Sequence, residues 1–175
     1  TNSSPVQKFL HWEKTVPNDI FLRQPIAGVW HERSFAQAAD ECRRMAAGLL
    51  SLGLRHGDHV AILSKNCAEW ILADLAIMMA GLVSIPIYPT LTADGILPIL
   101  IHSQTKALIA GKLDDFNKQS KGIPENVITI GVSTYGSNAQ YSWETLIQNN
   151  EPIEHIHNWK REDTITIVYT SGTTG

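Results

Sequence analysis

The sequence contains only two cysteines, Cys42 and Cys67, and their spacing does not form a Cys-x-x-Cys pair. Both fall inside segments with helical periodicity, where a cysteine is typically a buried, reduced side chain. The cysteine content therefore excludes a disulfide framework and a cysteine-based zinc site. We predict a protein of a reducing compartment, and specifically of the cytoplasm.

Long apolar runs are lacking as well. The longest, residues 75–83, is far shorter than the ~20 residues that a membrane-spanning helix needs. Residues 1–14 lack the apolar stretch and the small-residue cleavage site of a secretory signal peptide. We therefore predict neither a transmembrane segment nor a signal peptide.

Concentrated positive charge is also absent. The 14 lysines and arginines are outnumbered by 17 acidic residues, and they are scattered singly or in pairs along the chain. A nucleic-acid-binding surface needs basic residues grouped on one face to neutralise phosphates. We predict no nucleic-acid partner.

What the sequence has is the size and composition of one globular domain: 175 residues, of which 43% are hydrophobic and 18% charged. A chain of this size buries roughly 70% of the surface that its unfolded form exposes. It therefore needs neither a metal ion nor a disulfide to fold.

Helical periodicity is clearest after Ser34. Ser34 and Gln37 have the spacing of a capping box, and Gly53 follows the last periodic residue. The apolar positions that repeat at helical spacing are Phe35, Ala38, Ala39, Cys42, Met45, Ala46 and Leu49. These features predict a helix between Ser34 and Gly53.

Further helices are predicted downstream. Asn66 and Glu69 repeat the capping arrangement and predict a largely buried helix through Ala80, which Gly81 ends. Thr92 could cap a third helix over residues 93–103, in which Pro98 favours a kink or a late start. Residues 113–120 could form a short helix. We assign Trp70 and Met78 to the helix core.

Short apolar runs between these helices predict strands. They lie at residues 59–63, 83–87, 107–110, 127–130 and 164–169. Residues 1–33 form a leader with two short apolar stretches, 20–22 and 26–30, interpreted as a strand pair or an irregular arm. The β-α repeats of residues 34–170 predict an α/β fold with a mainly parallel sheet and helices on both faces. Two polar loops interrupt them, 133–140 and 149–163, the second with Trp159 as a packing anchor.

The last predicted strand runs directly into six small residues: Thr170, Ser171, Gly172, Thr173, Thr174 and Gly175. Glycines let a backbone approach a ligand closely, and N–H groups and hydroxyls suit phosphate oxygens or Mg²⁺. The carboxyl end of a parallel strand is also where open α/β sheets bind ligands. A flexible turn is compatible with the same composition.

Two better-known nucleotide-binding patterns do not fit. Gly131 and Gly136 have the glycine spacing of a Walker A motif, but Ser137 stands where that motif has lysine. The Gly-x-Gly-x-x-Gly fingerprint is absent, and no flavin-binding motif is found, which argues against a hydride-transfer or flavodoxin-like domain.

The stretch Ile-Val-Tyr-Thr-Ser-Gly-Thr-Thr-Gly at residues 167–175 resembles the first part of the signature of the adenylate-forming superfamily. That superfamily includes acyl-CoA synthetases, firefly luciferase and peptide-synthetase adenylation domains. Residues 30–50 and 80–90 resemble its two upstream core segments. Ile-Pro-Ile-Tyr-Pro-Thr at 85–90 is most similar to the fatty acyl-CoA synthetase branch.

The resemblance implies that the chain is part of the large N-terminal domain of a long-chain fatty acid–CoA ligase. Such an enzyme joins a carboxylic acid to ATP, releases pyrophosphate and transfers the acyl group to coenzyme A. Residues 170–175 would bind the pyrophosphate end of ATP, and Thr170 could reach Mg²⁺. The family's loop continues with proline and lysine, so the catalytic residues are expected beyond residue 175, and the chain alone is expected to be inactive.

Alternatives remain at this point. The acid could be another carboxylic acid, or the chain could be a non-catalytic interaction module. A homodimer and peripheral contact with a membrane are compatible with the resemblance, but no basic amphipathic helix supports membrane contact.

The remaining polar candidates are predicted to be structural. No cysteine or carboxylate is spaced to complete a metal site with His59 or His102, so both are interpreted as surface or hydrogen-bonded histidines. His155 and His157 are assigned to a solvated loop, and Asp163 to a turn.

Overall fold

A computed structural model describes residues 3–170 and centres on a five-stranded parallel sheet. Its strands lie in the spatial order β4-β3-β5-β6-β7. They are β3 (His59–Leu63), β4 (Val83–Ile87), β5 (Ala107–Ala110), β6 (Ile128–Gly131) and β7 (Tyr141–Ser142). The predicted α/β class and parallel sheet are confirmed.

Helices cover both faces of this sheet, as the sequence predicts. Alternate strand residues point to opposite faces: Val60 and Ile62 join one hydrophobic core, and Ala61 and Leu63 join the other. The first core is covered by α1 (Pro5–Thr15), α2 (Phe35–Ser51), α3 (Ala68–Met79) and α6 (Trp143–Asn149). The second is covered by α4 (Ala93–His102) and α5 (Phe116–Gln119).

The start of α2 follows the predicted capping box. The Ser34 hydroxyl accepts a hydrogen bond from the Gln37 N–H at 3.1 Å, and the Ser34 N–H donates to Gln37 Oε1 at 2.9 Å. Gly53, just beyond the helix, has φ +93°, the left-handed conformation that ends helices. This prediction is confirmed.

The predicted cap of α3 is wrong. The residue before the helix is Cys67, which makes no side-chain cap, and Asn66 lies outside. The Ala68 N–H instead donates to Gln24 Oε1 at 2.9 Å, across a sequence separation of 44 residues. The predicted end is right, since the helix stops at Met79 and Gly81 has φ +77°.

The leader is more ordered than the sequence suggested. Residues 5–15 form α1, which Ser4 and Gln7 open with a capping box that sequence reasoning missed. β1 (Ile20–Ile26) and β2 (Val29–Ser34) then pair antiparallel, so of the two interpretations the strand pair is correct. Ala27 and Gly28 turn between them with positive φ angles, as tight hairpins require.

Other differences concern the second half of the chain. α4 is continuous from Ala93 to His102 with Pro98 inside it, so the late start does not occur. The short helix predicted at residues 113–120 is present but shorter: it consists of α5, which is followed by a 3₁₀ turn at Ser120–Gly122. The loop at 133–140 contains a 3₁₀ turn at Ser133–Tyr135, and β7 and α6 after it were not predicted.

The segment between α6 and residue 164 is irregular, as expected, and it is anchored by Trp159. The indole N–H of Trp159 donates to the carbonyl of Met78 at 2.7 Å. Among residues 3–170, no helix has the length and apolar character needed to cross a lipid bilayer.

Candidate functional site

The predicted last strand, residues 164–169, reaches the sheet but pairs with it only briefly. Thr166 forms a single parallel bridge with Ser84 of β4. The Ser84 N–H donates to the Ile165 carbonyl at 3.0 Å, and the Ile167 N–H donates to the Ser84 carbonyl at 2.9 Å. The segment therefore runs parallel to β4 along the edge of the sheet.

This direction brings Thr170 out at the carboxyl end of the sheet, where it is exposed. The other five residues predicted to bind phosphate, Ser171, Gly172, Thr173, Thr174 and Gly175, lie outside the described residues. The placement of Thr170 agrees with the expected location of a ligand-binding loop in an open α/β sheet.

The same end of the sheet has a topological switch point. The chain leaves β3 toward α3 on one face and leaves the neighbouring β4 toward α4 on the other. Loops that diverge in this way leave a crevice between them, and open α/β proteins bind ligands there.

A cavity of about 490 Å³ occupies this crevice. One wall comes from the loop after β3, a second from the end of β4 and the turn after it, and a third from the segment before Thr170. The lining residues are Ser64, Lys65, Asn66, Trp70, Pro86, Ile87, Tyr88, Pro89, Val168 and Tyr169. The cavity therefore ends one residue short of the predicted phosphate loop.

The walls of the cavity are mainly apolar and aromatic, and two of its polar side chains, Ser64 and Lys65, bond to other parts of the protein. Lys65 Nζ lies 2.6 Å from Asp114 Oδ1 in an ion pair. The Ser64 hydroxyl donates to the Lys65 carbonyl at 2.7 Å and accepts from the Lys112 N–H at 2.9 Å. The cavity is thus suited to hold an apolar group, and the Ser64 hydroxyl donates its hydrogen to a backbone carbonyl rather than to a side-chain base.

Trp70 has a larger role than sequence reasoning assigned. It packs on the core from α3, as predicted, but it is only half-buried and also forms a wall of the cavity. Met78 is buried in the core as predicted.

The histidines mostly follow their structural interpretation. His59 Nδ1 lies 2.6 Å from the Ser103 carbonyl, and His102 Nδ1 lies 2.8 Å from the Tyr169 hydroxyl. His155 is exposed, as expected of a loop residue. The Asp163 carboxylate accepts from the Lys160 N–H at 2.8 Å, which confirms its turn role.

His157 lies in the loop, as predicted, but its side chain is only partly exposed and packs against two other rings. Its ring centroid lies 4.5 Å from that of His56 and 4.5 Å from that of Trp159. Burial, and then the neighbouring His56, lower the pKa of His157, while Asp163 opposes the change.

Sequence reasoning also missed a partly buried polar cluster beside α3. Arg33 Nε lies 2.9 Å from Glu41 Oε1, and Arg33 Nη2 lies 3.6 Å from Glu69 Oε1. The Tyr135 hydroxyl donates to Glu69 at 3.0 Å, and the indole N–H of Trp143 donates to Glu41 at 3.2 Å. The only available signal was Glu69, which with Asp74 is one of two charged residues in a helix that is otherwise apolar.

This cluster joins β2, α2, α3, the 3₁₀ turn at Ser133–Tyr135 and α6, so it connects five separate elements. Burial raises the pKa of Glu69, and the nearby Arg33 and the Tyr135 hydroxyl act in the opposite direction. Both carboxylates accept hydrogen bonds and share the Arg33 cation, so neither is offered as a free acid or base, and loss of Arg33 would leave two carboxylates uncompensated.

Comparison with known proteins adds to this picture. A family model described as "AMP-binding enzyme" matches residues 9–175. A long-chain-fatty-acid–CoA ligase of Mycobacterium tuberculosis, FadD15, is 31% identical over 169 residues, which cover 93% of this chain and 28% of that protein. Long chain acyl-CoA synthetase 2 of Arabidopsis thaliana is 27% identical over 191 residues, which cover 98% of this chain and 29% of that protein.

Solved structures share the fold. The anthranilate CoA ligase AuaEII, in complex with anthranoyl-AMP, superposes with a TM-score of 0.82 at 22% identity, covering 97% of this chain and 32% of that one. The N-terminal subdomain of NpsA from Klebsiella oxytoca gives a TM-score of 0.75 at 23% identity, covering 100% of this chain and 40% of that one. The chain spans less than a third of the length of the curated relatives that it matches.

Proposed function

Because the chain belongs to the AMP-binding enzyme family, we propose that it is the N-terminal part of a ligase that activates a long-chain fatty acid with ATP and transfers it to coenzyme A. Adenylate formation is the chemistry of the family. The fatty acid is the finer part of the proposal, and it is supported by relatives named as long-chain-fatty-acid–CoA ligases at about 30% identity.

One observation carries the proposal. The six glycine, serine and threonine residues begin where a segment that pairs with β4 leaves the carboxyl end of a parallel sheet. The switch-point cavity lies immediately beside that position. A loop of this composition presents N–H groups and hydroxyls to phosphate oxygens with little side-chain bulk.

In the proposed reaction, a carboxylate oxygen of the acid attacks the α-phosphorus of ATP, and pyrophosphate leaves. The thiol of coenzyme A then attacks the carbonyl carbon of the acyl-adenylate, and AMP leaves with the bridging oxygen. Residues 170–175 would bind the departing pyrophosphate and stabilise the charge that develops on it. The apolar cavity next to Tyr169 would hold an apolar part of a substrate.

The proposed Mg²⁺ would be held mainly by ATP. Mg²⁺ usually keeps several waters and takes one or two carboxylates together with substrate phosphates. Within residues 3–170 there is no group of three or more His, Cys, Asp or Glu side chains able to hold a metal ion. Thr170 would contribute one hydroxyl oxygen, and its role would be to orient the metal–phosphate complex.

The chain alone is proposed to be inactive, because the catalytic residues are expected beyond residue 175. Purified residues 1–175 should therefore form no acyl-AMP from ATP and any acid. Formation of acyl-AMP by this chain would refute the proposal that the catalytic residues lie beyond residue 175.

A cytoplasmic location, peripheral membrane contact and a homodimer stay predictions.

The test of the function uses the complete protein with ATP, Mg²⁺, coenzyme A and carboxylic acids of varied chain length, including aromatic acids. We expect AMP, pyrophosphate and a thioester, with the highest kcat/KM for long-chain fatty acids. A preference for a short or aromatic acid would keep the reaction and overturn the fatty-acid assignment. Absence of acid-dependent pyrophosphate release would overturn both and favour a non-catalytic module.

A matched pair of variants tests the loop. Thr173→Val removes a hydroxyl from the loop without changing the size of the side chain, and kcat should fall about 10-fold or more because a donor to the phosphates is lost. Thr164→Val makes the same change at an exposed position before the bridge to β4, and it should leave kcat unchanged.

A further inference from the structure

His102 contacts the segment that leads into the predicted phosphate loop. It is the last residue of α4, and its side chain is exposed. Its Nδ1 nevertheless lies 2.8 Å from the hydroxyl of Tyr169, which is 67 residues further along the chain. The two rings meet edge to face, with their centroids 5.7 Å apart. Tyr169 directly precedes Thr170.

The segment is otherwise weakly attached to the sheet at this point. Its backbone hydrogen bonds to β4 involve Ile165 and Ile167. Across the described part of the chain, the bond to His102 is the only hydrogen bond made by residues 168–170. The side chain of Tyr169 therefore provides the last hydrogen-bonded attachment before the loop.

The helix that carries His102 is packed into the second core and closed by hydrogen bonds. Ile96 and Leu100 of α4 are buried in the second hydrophobic core. The helix end is closed by Ser103, whose N–H donates to the Ile99 carbonyl at 2.9 Å and whose hydroxyl lies 2.6 Å from that of Thr105. The backbone from which the imidazole extends is therefore anchored to the body of the domain.

The Tyr169 ring is also constrained. It packs against the second core and forms part of the cavity wall. Its hydroxyl can act as donor or acceptor, so it can bond to Nδ1 in either tautomer of His102. Packing of the ring and the hydrogen bond of its hydroxyl together restrict the Tyr169 backbone, from which the loop starts.

We propose that His102 is a positioning residue for the phosphate loop: through Tyr169, it sets the direction in which Thr170 leaves the sheet. This inference rests on the proposed function. Phosphate-binding donors must be aligned with the transition state, and a small misplacement lowers the rate of the chemical step. His102 would act without touching the substrate.

Four variants of the complete protein test the inference by acid-dependent exchange of pyrophosphate into ATP. His102→Ala and Tyr169→Phe each remove one partner of the bond, and each should lower kcat about 3- to 10-fold, as expected for one lost hydrogen bond. The double variant should lose no more than either single variant, because the same bond is removed. His102→Asn places a polar atom near the position of Nδ1 and should recover most of the rate.

The control is His155→Ala, which removes an exposed histidine from a loop and should behave like the wild type. The KM for the acid should stay unchanged in the variants at 102. Wild-type rates in both His102→Ala and Tyr169→Phe, or losses that multiply in the double variant, would overturn the inference.

Hydrogen exchange separates this inference from the proposed function, because it needs no reaction. In His102→Ala, amides of a peptide covering residues 164–175 should exchange faster than in the wild type, and in His155→Ala they should not. An inactive wild type with this exchange pattern would overturn the proposed function but would support the contact between His102 and Tyr169. Unchanged exchange in His102→Ala would sink the positioning role whatever the activity.

Discussion

Arg33 is the cation that two buried or half-buried carboxylates share. Its guanidinium lies 2.9 Å from Glu41 and 3.6 Å from Glu69, and the Glu69 side chain is only 5% exposed. Because burial raises the pKa of Glu69, its charged form depends on the compensation that Arg33 and the Tyr135 hydroxyl supply. Removal of the Arg33 cation should therefore destabilise the fold.

Arg33→Met should lower the free energy of unfolding by about 3 kcal/mol, because it leaves two carboxylates, one of them buried, without their cation. The control is Arg23→Met. Arg23 lies 3.7 Å from Glu32 in an exposed pair, whose loss should cost less than about 1 kcal/mol. Urea unfolding of the two variants measures the difference, and equal costs would contradict the structural role given to the cluster.

His157 should make stability depend on pH. Its pKa in the folded chain lies below the ordinary value, chiefly because of burial and then because of His56, with Asp163 opposing. As the pH falls through about 6.5, the unfolded chain binds a proton at this position before the folded chain does, so the folded state loses stability.

The change in urea midpoint between pH 7.5 and pH 5.5 should therefore be smaller in His157→Gln than in the wild type. The exposed His155 provides the control, since His155→Gln should keep the wild-type dependence. A steeper loss in His157→Gln would show that the sign assigned to the pKa shift is wrong.

At the scale of elements, local patterns predict α2 well and α3 only in part. The cap of α2 comes from Ser34 and Gln37, which are three residues apart, so the sequence contains the complete signal. The cap of α3 comes from Gln24 on β1, at a separation of 44 residues. No local rule could select that partner, because the contact depends on how the hairpin packs against the helix.

The two candidate caps of α3 give opposite expectations for substitution. Gln24 is buried, and Gln24→Ala should cost about 1 to 2 kcal/mol because the Ala68 N–H loses its acceptor. Asn66 is exposed, and Asn66→Ala should change stability by less than about 0.5 kcal/mol. A larger loss at Asn66 than at Gln24 in chemical denaturation would restore the sequence-based assignment.

Two other elements, α1 and β7, were also missed. For α1 a local signal was available but was not used, and β7 depends on long-range pairing. The box formed by Ser4 and Gln7 was available and predicts α1. β7 has only two residues and owes its assignment to pairing with β6, which periodicity cannot reveal. The last strand was predicted at the right place, but it consists of one bridge at Thr166. The length of a strand depends on how many residues of the adjacent strand pair with it.

At the scale of the whole molecule, the alternation of strands and helices predicts a parallel sheet but not its order. The order β4-β3-β5-β6-β7 determines where the loops diverge, and with it the position of the switch-point cavity. The glycine, serine and threonine run could be identified from sequence. The aromatic walls formed by Trp70, Tyr88 and Tyr169 could not, since they come from three separate elements.

The proposed function requires the complete protein to join a carboxylic acid to AMP at this end of the sheet. The most direct measurement supplies a long-chain fatty acid labelled with oxygen-18 in its carboxylate, together with ATP, Mg²⁺ and coenzyme A. If the carboxylate attacks the α-phosphorus, mass spectrometry should find the label in AMP and none in pyrophosphate. Label in inorganic phosphate, or turnover that leaves AMP unlabelled, would contradict the proposed adenylate chemistry.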